Sequence, residues 1–342
     1  MQKLHSLSLE GRVNELVFAG APAPHLYSAS SDGMVRAWDV RAATPSPSVT
    51  LQDASVAPEE IWSVSLGGAN LLAAGTESAV VIWDLRKSAT SLCRWEVHTE
   101  PVTQVRFAPG GASMALFSAS VDGLICRLDC SQTEEDEAVV GVCNCESPIT
   151  SLGIYQAGAT LRAYCISSLE TLSIWDLDAN DRICLLDNIR SADAGGEDQS
   201  GVKASAEGAD GGDVLDADYL IGCQWDELRQ QLRLLTGEHN GTVRIATVEH
   251  FGASGAAAPN APSAGYGLRL TQSLSNSSTA GHSADVRCFH WGGDRLVTGG
   301  EDGRICSWTE AEGPGEAAGG EGSKAEKKLK KKEKQGRRST PY

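Results

Sequence analysis

The chain has 342 residues, 41% of them apolar and 22% charged, and its formal charge is −16. This is enough apolar material for a sizeable core, and it excludes a wholly disordered chain. No run reaches the roughly 18–20 uncharged apolar residues that a spanning helix needs, so no membrane role is expected.

The N-terminus, Met1-Gln2-Lys3-Leu4-His5-Ser6-Leu7, lacks the long apolar core of a secretory leader. The expectation is an intracellular protein. Alternating apolar runs then recur along the chain. The first group is Val13–Phe18, Leu26–Ser30 and Met34–Trp38, and the next is Ile61–Leu66, Leu71–Gly75 and Val80–Trp83. Val102–Phe107, Leu116–Ser120 and Leu124–Leu128 repeat the pattern. Leu172–Trp175, Gly241–Ile245, Val286–Trp291, Leu296–Gly300 and Gly303–Ser307 complete it. Short alternating runs of this kind are strands with one buried face.

Most of the closing runs follow a tight turn: Asp32-Gly33, Asp122-Gly123, Asn240-Gly241 and Asp302-Gly303, with Glu77-Ser78 and Leu169-Glu170 as variants. Asp-Gly and Asn-Gly between alternating runs mark hairpins, because such turns need positive φ. Three runs end in Trp-Asp, at Trp38-Asp39, Trp83-Asp84 and Trp175-Asp176. Leu128, Ala246 and Trp308 hold the equivalent places, so the period is about 45 residues with longer loops late in the chain. Six units follow, over 11–52, 60–97, 98–142, 147–187, 217–275 and 282–309. Residues 190–216 and 252–265 read as loops without a core to bury. Residues 310–342 read as a linker and a basic tail.

Ten cysteines in so long a chain are not disulfide-scaffold density. Cys126, Cys165, Cys288 and Cys306 lie in strand-like runs and read as reduced core residues. Cys143-Asn144-Cys145 and Cys126…Cys130 do not match zinc spacings, so no metal and no cofactor is expected. No phosphate loop or nucleophile elbow is present, and no catalytic residue is assigned. The tail carries Lys324, Lys327, Lys328, Lys330, Lys331, Lys332, Lys334, Arg337 and Arg338 against two acids. The rest of the chain is strongly acidic and repels phosphate. The tail is a candidate nuclear address or RNA-contacting arm.

A unit of about 45 residues with short strands, a turn aspartate and a closing Trp-Asp resembles the WD repeat. The resemblance implies an all-β propeller over residues 1–309, with six four-stranded blades. It also implies that Met1–Leu9 supplies the outer strand of the sixth blade. The His–Ser/Thr–Asp–Trp network of such repeats is complete only at His282, Thr298, Asp302 and Trp308. His98, Ser118 and Asp122 match it with Leu128 in place of tryptophan. These residues, with Trp38, Trp83 and Trp175, are expected to be structural.

The segments His98–Phe107, Ser118–Leu124, Asp216–Gly222 and Gly281–Asp302 are similar to repeats of the WD repeat-containing protein 89 family. That family usually has a further blade's worth of sequence before this start, so a seventh blade lost to a truncated N-terminus is the alternative to six. The reading of function is a non-catalytic protein-interaction scaffold, nuclear or nucleolar, in ribosome assembly, with cytoplasm as second choice. Its partners would be pre-ribosomal factors, with RNA contact by the tail. The alternative is a substrate receptor of a cullin-4 ubiquitin ligase. Leu26–Arg41 and Leu71–Arg86 resemble the sixteen-residue box that docks propellers on the ligase adaptor, which makes Arg41 and Arg86 the candidate partner-binding residues.

Overall fold

The computed structural model describes residue 9 and residues 11–309, apart from 20–24, 43–45, 54–57, 88–89, 111–113, 188, 190–214, 216, 252–264, 275–280 and 294. The predicted outer strand Met1–Leu9, apart from Leu9, which is in no strand, and the basic tail lie outside the described residues. So do the two predicted loops, except Leu215 and Gly265. Met1–Ser307 forms one compact unit, and Trp308–Tyr342 counts as a second, of which Trp308 and Thr309 are described.

Six antiparallel sheets follow in chain order. The first is β1 (Val13–Phe18), β2 (His25–Ser30), β3 (Val35–Asp39) and β4 (Val49–Leu51). The second is β5 (Ser63–Leu66), β6 (Leu71–Gly75), β7 (Val80–Asp84) and β8 (Cys93–Trp95). The third is β9 (Gln104–Phe107), β10 (Ala115–Ala119), β11 (Leu124–Asp129) and β12 (Val139–Asn144), with the short helix α1 (Glu135–Ala138) before its last strand. The fourth is β13 (Ile149–Ala157), β14 (Thr160–Ser167), β15 (Leu172–Asp176) and β16 (Asp181–Leu186). The fifth is β17 (Tyr219–Asp226), β18 (Gln231–Gly237), β19 (Val243–Phe251) and β20 (Gly265–Leu274). The sixth has three strands among the described residues, not the expected four: β21 (Val286–Gly292), β22 (Arg295–Gly300) and β23 (Ile305–Thr309). Each sheet is a blade of a six-blade β-propeller. The first strands pack on one another from β1 through β5, β9, β13 and β17 to β21.

The turns explain why these runs fold as hairpins. Gly123 has φ 83° and Gly241 has φ 90°, the left-handed region that favours glycine. At Gly241 a Cβ would lie 2.2 Å from the His282 carbonyl oxygen. The residue before each glycine closes the turn with its side chain. Asp32, Asp122, Asn240 and Asp302 each accept a backbone N–H two residues on, from Met34, Leu124, Thr242 and Arg304.

The core lies between blades. Tyr27, Val35 and Leu51 of blade one meet Ile61, Val64 and Trp83 of blade two. Val80, Ile82 and Trp95 meet Val105, Leu116 and Leu128 of blade three. Phe117 and Ile125 meet Leu152 and Trp175 of blade four. Leu172 and Ile174 meet Leu234 and Ala246 of blade five, and Leu215 is buried with them, so part of the predicted 190–216 loop belongs to the core. Full burial of such a side chain contributes about 1.5–3 kcal/mol.

The last junction is more polar. The Val286 N–H donates to Tyr219 Oη at 2.6 Å. Gln224 exchanges two 3.0 Å bonds with the Trp291 backbone, and the Arg233 guanidinium lies 4.0 Å over the Trp291 ring. All ten cysteines are free, and Cys126 and Cys165 are buried as expected. Cys288 is exposed and Cys306 half-buried, against the expectation of core positions.

Candidate interaction surfaces

In a four-stranded meander, the turns after the first and third strands fall at one end. The turn after the second strand and the link to the next blade fall at the other. This rule gives the propeller a first-turn face and a link face, and it sorts the candidate residues.

The histidine networks lie at the link end, inside single blades. His98 Nδ1 is 2.9 Å from Asp122 Oδ2, and Nε2 is 2.8 Å from Ser118 Oγ. The carboxylate only accepts, so Nδ1–H donates to it and the Ser118 hydroxyl donates to Nε2. Burial pushes the His98 imidazole below its ordinary value despite the pull of Asp122, so the ring is neutral at pH 7. His282 repeats the geometry, 3.1 Å from Asp302 Oδ1 and 2.8 Å from Thr298 Oγ1. Burial works against ionisation of Asp302, but the N–H of Ser283, His282 and the N–H of Arg304 outweigh it and hold the carboxyl at about 2. Ser118, Thr298 and both imidazoles are buried, and no substrate reaches them. A catalytic triad would need an exposed nucleophile.

Trp38, Trp83 and Trp175 stand opposite Leu26, Leu72 and Ala163 on the second strands of their blades, and Leu128 stands opposite Leu116. Their polar ends differ. Trp38 Nε1 donates to Ser28 Oγ at 3.0 Å, and Trp175 Nε1 donates to Ser173 Oγ on its own strand at 2.9 Å. Trp83 Nε1 is buried without a partner among the described residues, since Ala74 offers no hydroxyl. Trp308 is half-buried on β23.

Arg41 and Arg86 lie on the first-turn face, just past β3 and β7. Each guanidinium forks onto the carboxylate two residues back. Arg41 Nε and Nη2 reach Asp39 at 3.1 Å each, and Arg86 reaches Asp84 at 2.8 and 2.7 Å. These bonds, with the N–H of the same arginines, hold both carboxyls at about 2. The side chains stay 67% and 64% exposed. Sequence reading named both arginines as candidates for a bidentate partner contact but missed that their two-pronged edge is already taken by Asp39 and Asp84. The i, i+2 spacing of Asp and Arg was the available signal.

The link face is acidic. Glu77, Glu96, Glu100, Glu146 and Glu301 are exposed at its turns and links. Its exposed arginines are engaged: Arg12 by Glu60, Arg287 by Glu301 and Asp285, and Arg304 by Asp302. Leu169, 73% exposed, and Val121 add apolar surface beside these acids.

A cavity of about 290 Å³ opens between blades five and six, lined by Gln224, Trp225, Asp226, Glu227, Leu228, Arg233, Trp291 and Gly293. Asp226 is bound there by both Arg229 and Arg233, at 3.1 and 2.9 Å. Among the described residues no group of three or more metal-ligating side chains occurs, and no helix is long and apolar enough to cross a membrane.

The WD domain, G-beta repeat family matches residues 89–126 and 273–309. WD repeat-containing protein GTS1 of Arabidopsis thaliana is 31% identical over 307 residues, which cover 88% of this chain and 71% of that protein. The WD repeat-containing protein 89 homolog of Dictyostelium discoideum is 33% identical over 65% of this chain and 55% of its own length. A chain of the crystal structure of the mitotic checkpoint complex superposes with TM-score 0.61 at 12% identity, over 87% of this chain and 74% of that one, a likeness of fold alone. The repeated blades, their turn aspartates and a relative aligned over most of both chains lead to one conclusion: the chain belongs to the WD-repeat family of β-propellers.

Proposed function

We propose that the protein is a non-catalytic scaffold that binds basic segments of other proteins on its link face, in the nucleus or nucleolus, during ribosome assembly. The WD-repeat family supports a scaffold that binds proteins. The observation that carries the finer reading is the charge of one face. Glu77, Glu100 and Glu146 stand exposed at turns and links of the blades, Glu146 with Arg182 at 3.6 Å, while Arg12 and Arg287 of the same face are engaged by other acids. Such a surface attracts Lys- and Arg-rich segments and repels bare nucleic acid. Proteins that assemble on RNA are rich in such segments. The basic tail, Lys327 to Arg338, supports the nuclear address and supplies a separate arm for RNA.

Affinity purification of the full chain from cells, with mass spectrometry, tests this reading. Pre-ribosomal proteins lost on Glu77→Gln, Glu100→Gln and Glu146→Gln substitution support it. Recovery of the cullin-4 adaptor instead, lost on Arg41→Ala with Arg86→Ala, favours the ligase-receptor reading. That alternative rests on two exposed arginines on one face of adjacent blades.

A further inference from the structure

Cys143-Asn144-Cys145 fits no zinc spacing, but the fold brings a third sulfur to it. Cys143 lies on β12, and Cys145 begins the link from blade three to blade four. Cys165 lies on β14, the second strand of blade four. Cys143 and Cys165 are buried in the core between these two blades, and half-buried Cys145 packs against them. The Cys165 thiol donates a hydrogen bond to the Cys145 sulfur, so two sulfurs from different blades meet at the junction.

The surroundings of Cys145 set it apart from the other cysteines of the core. Ser173 on β15 stands opposite Cys165. Its oxygen accepts the Trp175 indole N–H at 2.9 Å, which leaves its own O–H to donate to Cys145. Arg182, 3.6 Å from Glu146, adds a positive charge nearby. The bond from Cys165, then Ser173 and Arg182, hold the Cys145 thiol below its ordinary value in spite of burial. Burial pushes Cys93, Cys126, Cys143 and Cys184 up instead. Cys165 also goes up, through burial and because it keeps the proton it shares with Cys145. One sulfur is thus ready to attack, and a second touches it, ready to resolve the product.

We propose that Cys145 and Cys165 are a reversible oxidation site, a dithiol that a hydroperoxide converts to a disulfide tying the link out of blade three to the second strand of blade four. With hydrogen peroxide the Cys145 sulfur attacks one oxygen. An S–O bond forms, the O–O bond breaks, and the leaving hydroxide takes up the Cys145 proton as water. The Cys165 sulfur then attacks the sulfenic sulfur. The S–S bond forms, the S–O bond breaks, and the second hydroxide leaves with the Cys165 proton as water. The two sulfurs lose two electrons in all, and the two peroxide oxygens gain them. Thiol reductants reverse the step by exchange. Glu146 follows Cys145, so the disulfide fixes the link that carries one acid of the link face. The proposal does not depend on the scaffold reading.

The test treats the reduced, purified full-length chain with hydrogen peroxide, blocks the remaining thiols and maps tryptic peptides without reduction. Trypsin separates the two cysteines into 128–162 and 163–182, and Cys165 is the sole cysteine of the second peptide. The expected product is these peptides joined with the loss of two hydrogens, and dithiothreitol should release them. Cys145→Ser should abolish the joined pair, whereas Cys130→Ser and Cys143→Ser should keep it. In Cys165→Ser, dimedone should trap a sulfenic acid at Cys145. If serine in the core unfolds the chain, Cys165→Ala takes its place with the same readout. Peptides that stay separate in the wild type overturn the proposal. So does a joined pair that survives Cys145→Ser, or oxidation confined to the exposed Cys288.

Discussion

Trp38→Phe and Trp83→Phe remove the same atoms from equivalent register positions in adjacent blades, but with different polar consequences. Trp38 Nε1 has Ser28 Oγ at 3.0 Å, and Ser28 is buried. Its loss removes one hydrogen bond and leaves a buried hydroxyl. Trp83 Nε1 has no partner among the described residues, so its removal abolishes a buried, unsatisfied donor. Orphaning a buried polar group costs about 1–3 kcal/mol. Trp38→Phe should therefore destabilise by about 1–3 kcal/mol more than Trp83→Phe, after their similar losses of ring volume. Urea unfolding followed by far-ultraviolet circular dichroism measures the difference, provided the slope with urea is unchanged. Ser28→Ala is the control. Alone it should destabilise, and in the Trp38→Phe background most of that cost should vanish, because the partners are already separated. If Trp83→Phe costs as much as Trp38→Phe, the argument from the indole nitrogens is refuted.

Ser118→Ala strands His98 Nε2 in the core and should cost about 1–3 kcal/mol by the same unfolding assay. His98 has a lowered folded pKa, so below its ordinary value the unfolded chain takes up the proton first. Its contribution is fully present above about pH 6.5 and is lost as pH falls, and the fall in thermal midpoint toward acid should be shallower in His98→Asn. Arg41→Ala with Arg86→Ala should leave the thermal midpoint unchanged, since Asp39 and Asp84 keep their turn N–H bonds; a large drop would make the arginines structural. Deleting residues 324–342 should leave the thermal midpoint of a fluorescent fusion intact and release it into the cytoplasm. Unchanged nuclear accumulation would remove the tail as an address.

Much of the fold was legible because its determinants are local. Asp122-Gly123 states a turn, Leu124–Leu128 states a strand, and Trp38, Trp83 and Leu128 mark the period. What depends on neighbouring blades was not legible. Cys288 and Cys306 have the sequence surroundings of core residues, yet Cys288 is exposed and Cys306 half-buried. Leu215 sits at the end of a polar, Gly-rich stretch and still packs into the core between blades four and five. Trp175 takes its hydroxyl from Ser173 on the same strand, because Cys165 holds the place that Ser28 has on the second strand of blade one. The candidate surface was least legible. Arg41 and Arg86 were visible as residues, but the acidic link face gathers glutamates from separate blades, and only the packing of successive blades brings them to one side.

Zero-length carbodiimide coupling on affinity-purified complexes tests the account most directly, because it joins carboxylates to partner lysines in contact. The account predicts coupling at Glu77, Glu100 and Glu146 to lysines of bound proteins, weakened by salt as expected for exposed charges. Coupling confined to the first-turn face, at Asp178 and Glu227, would contradict it.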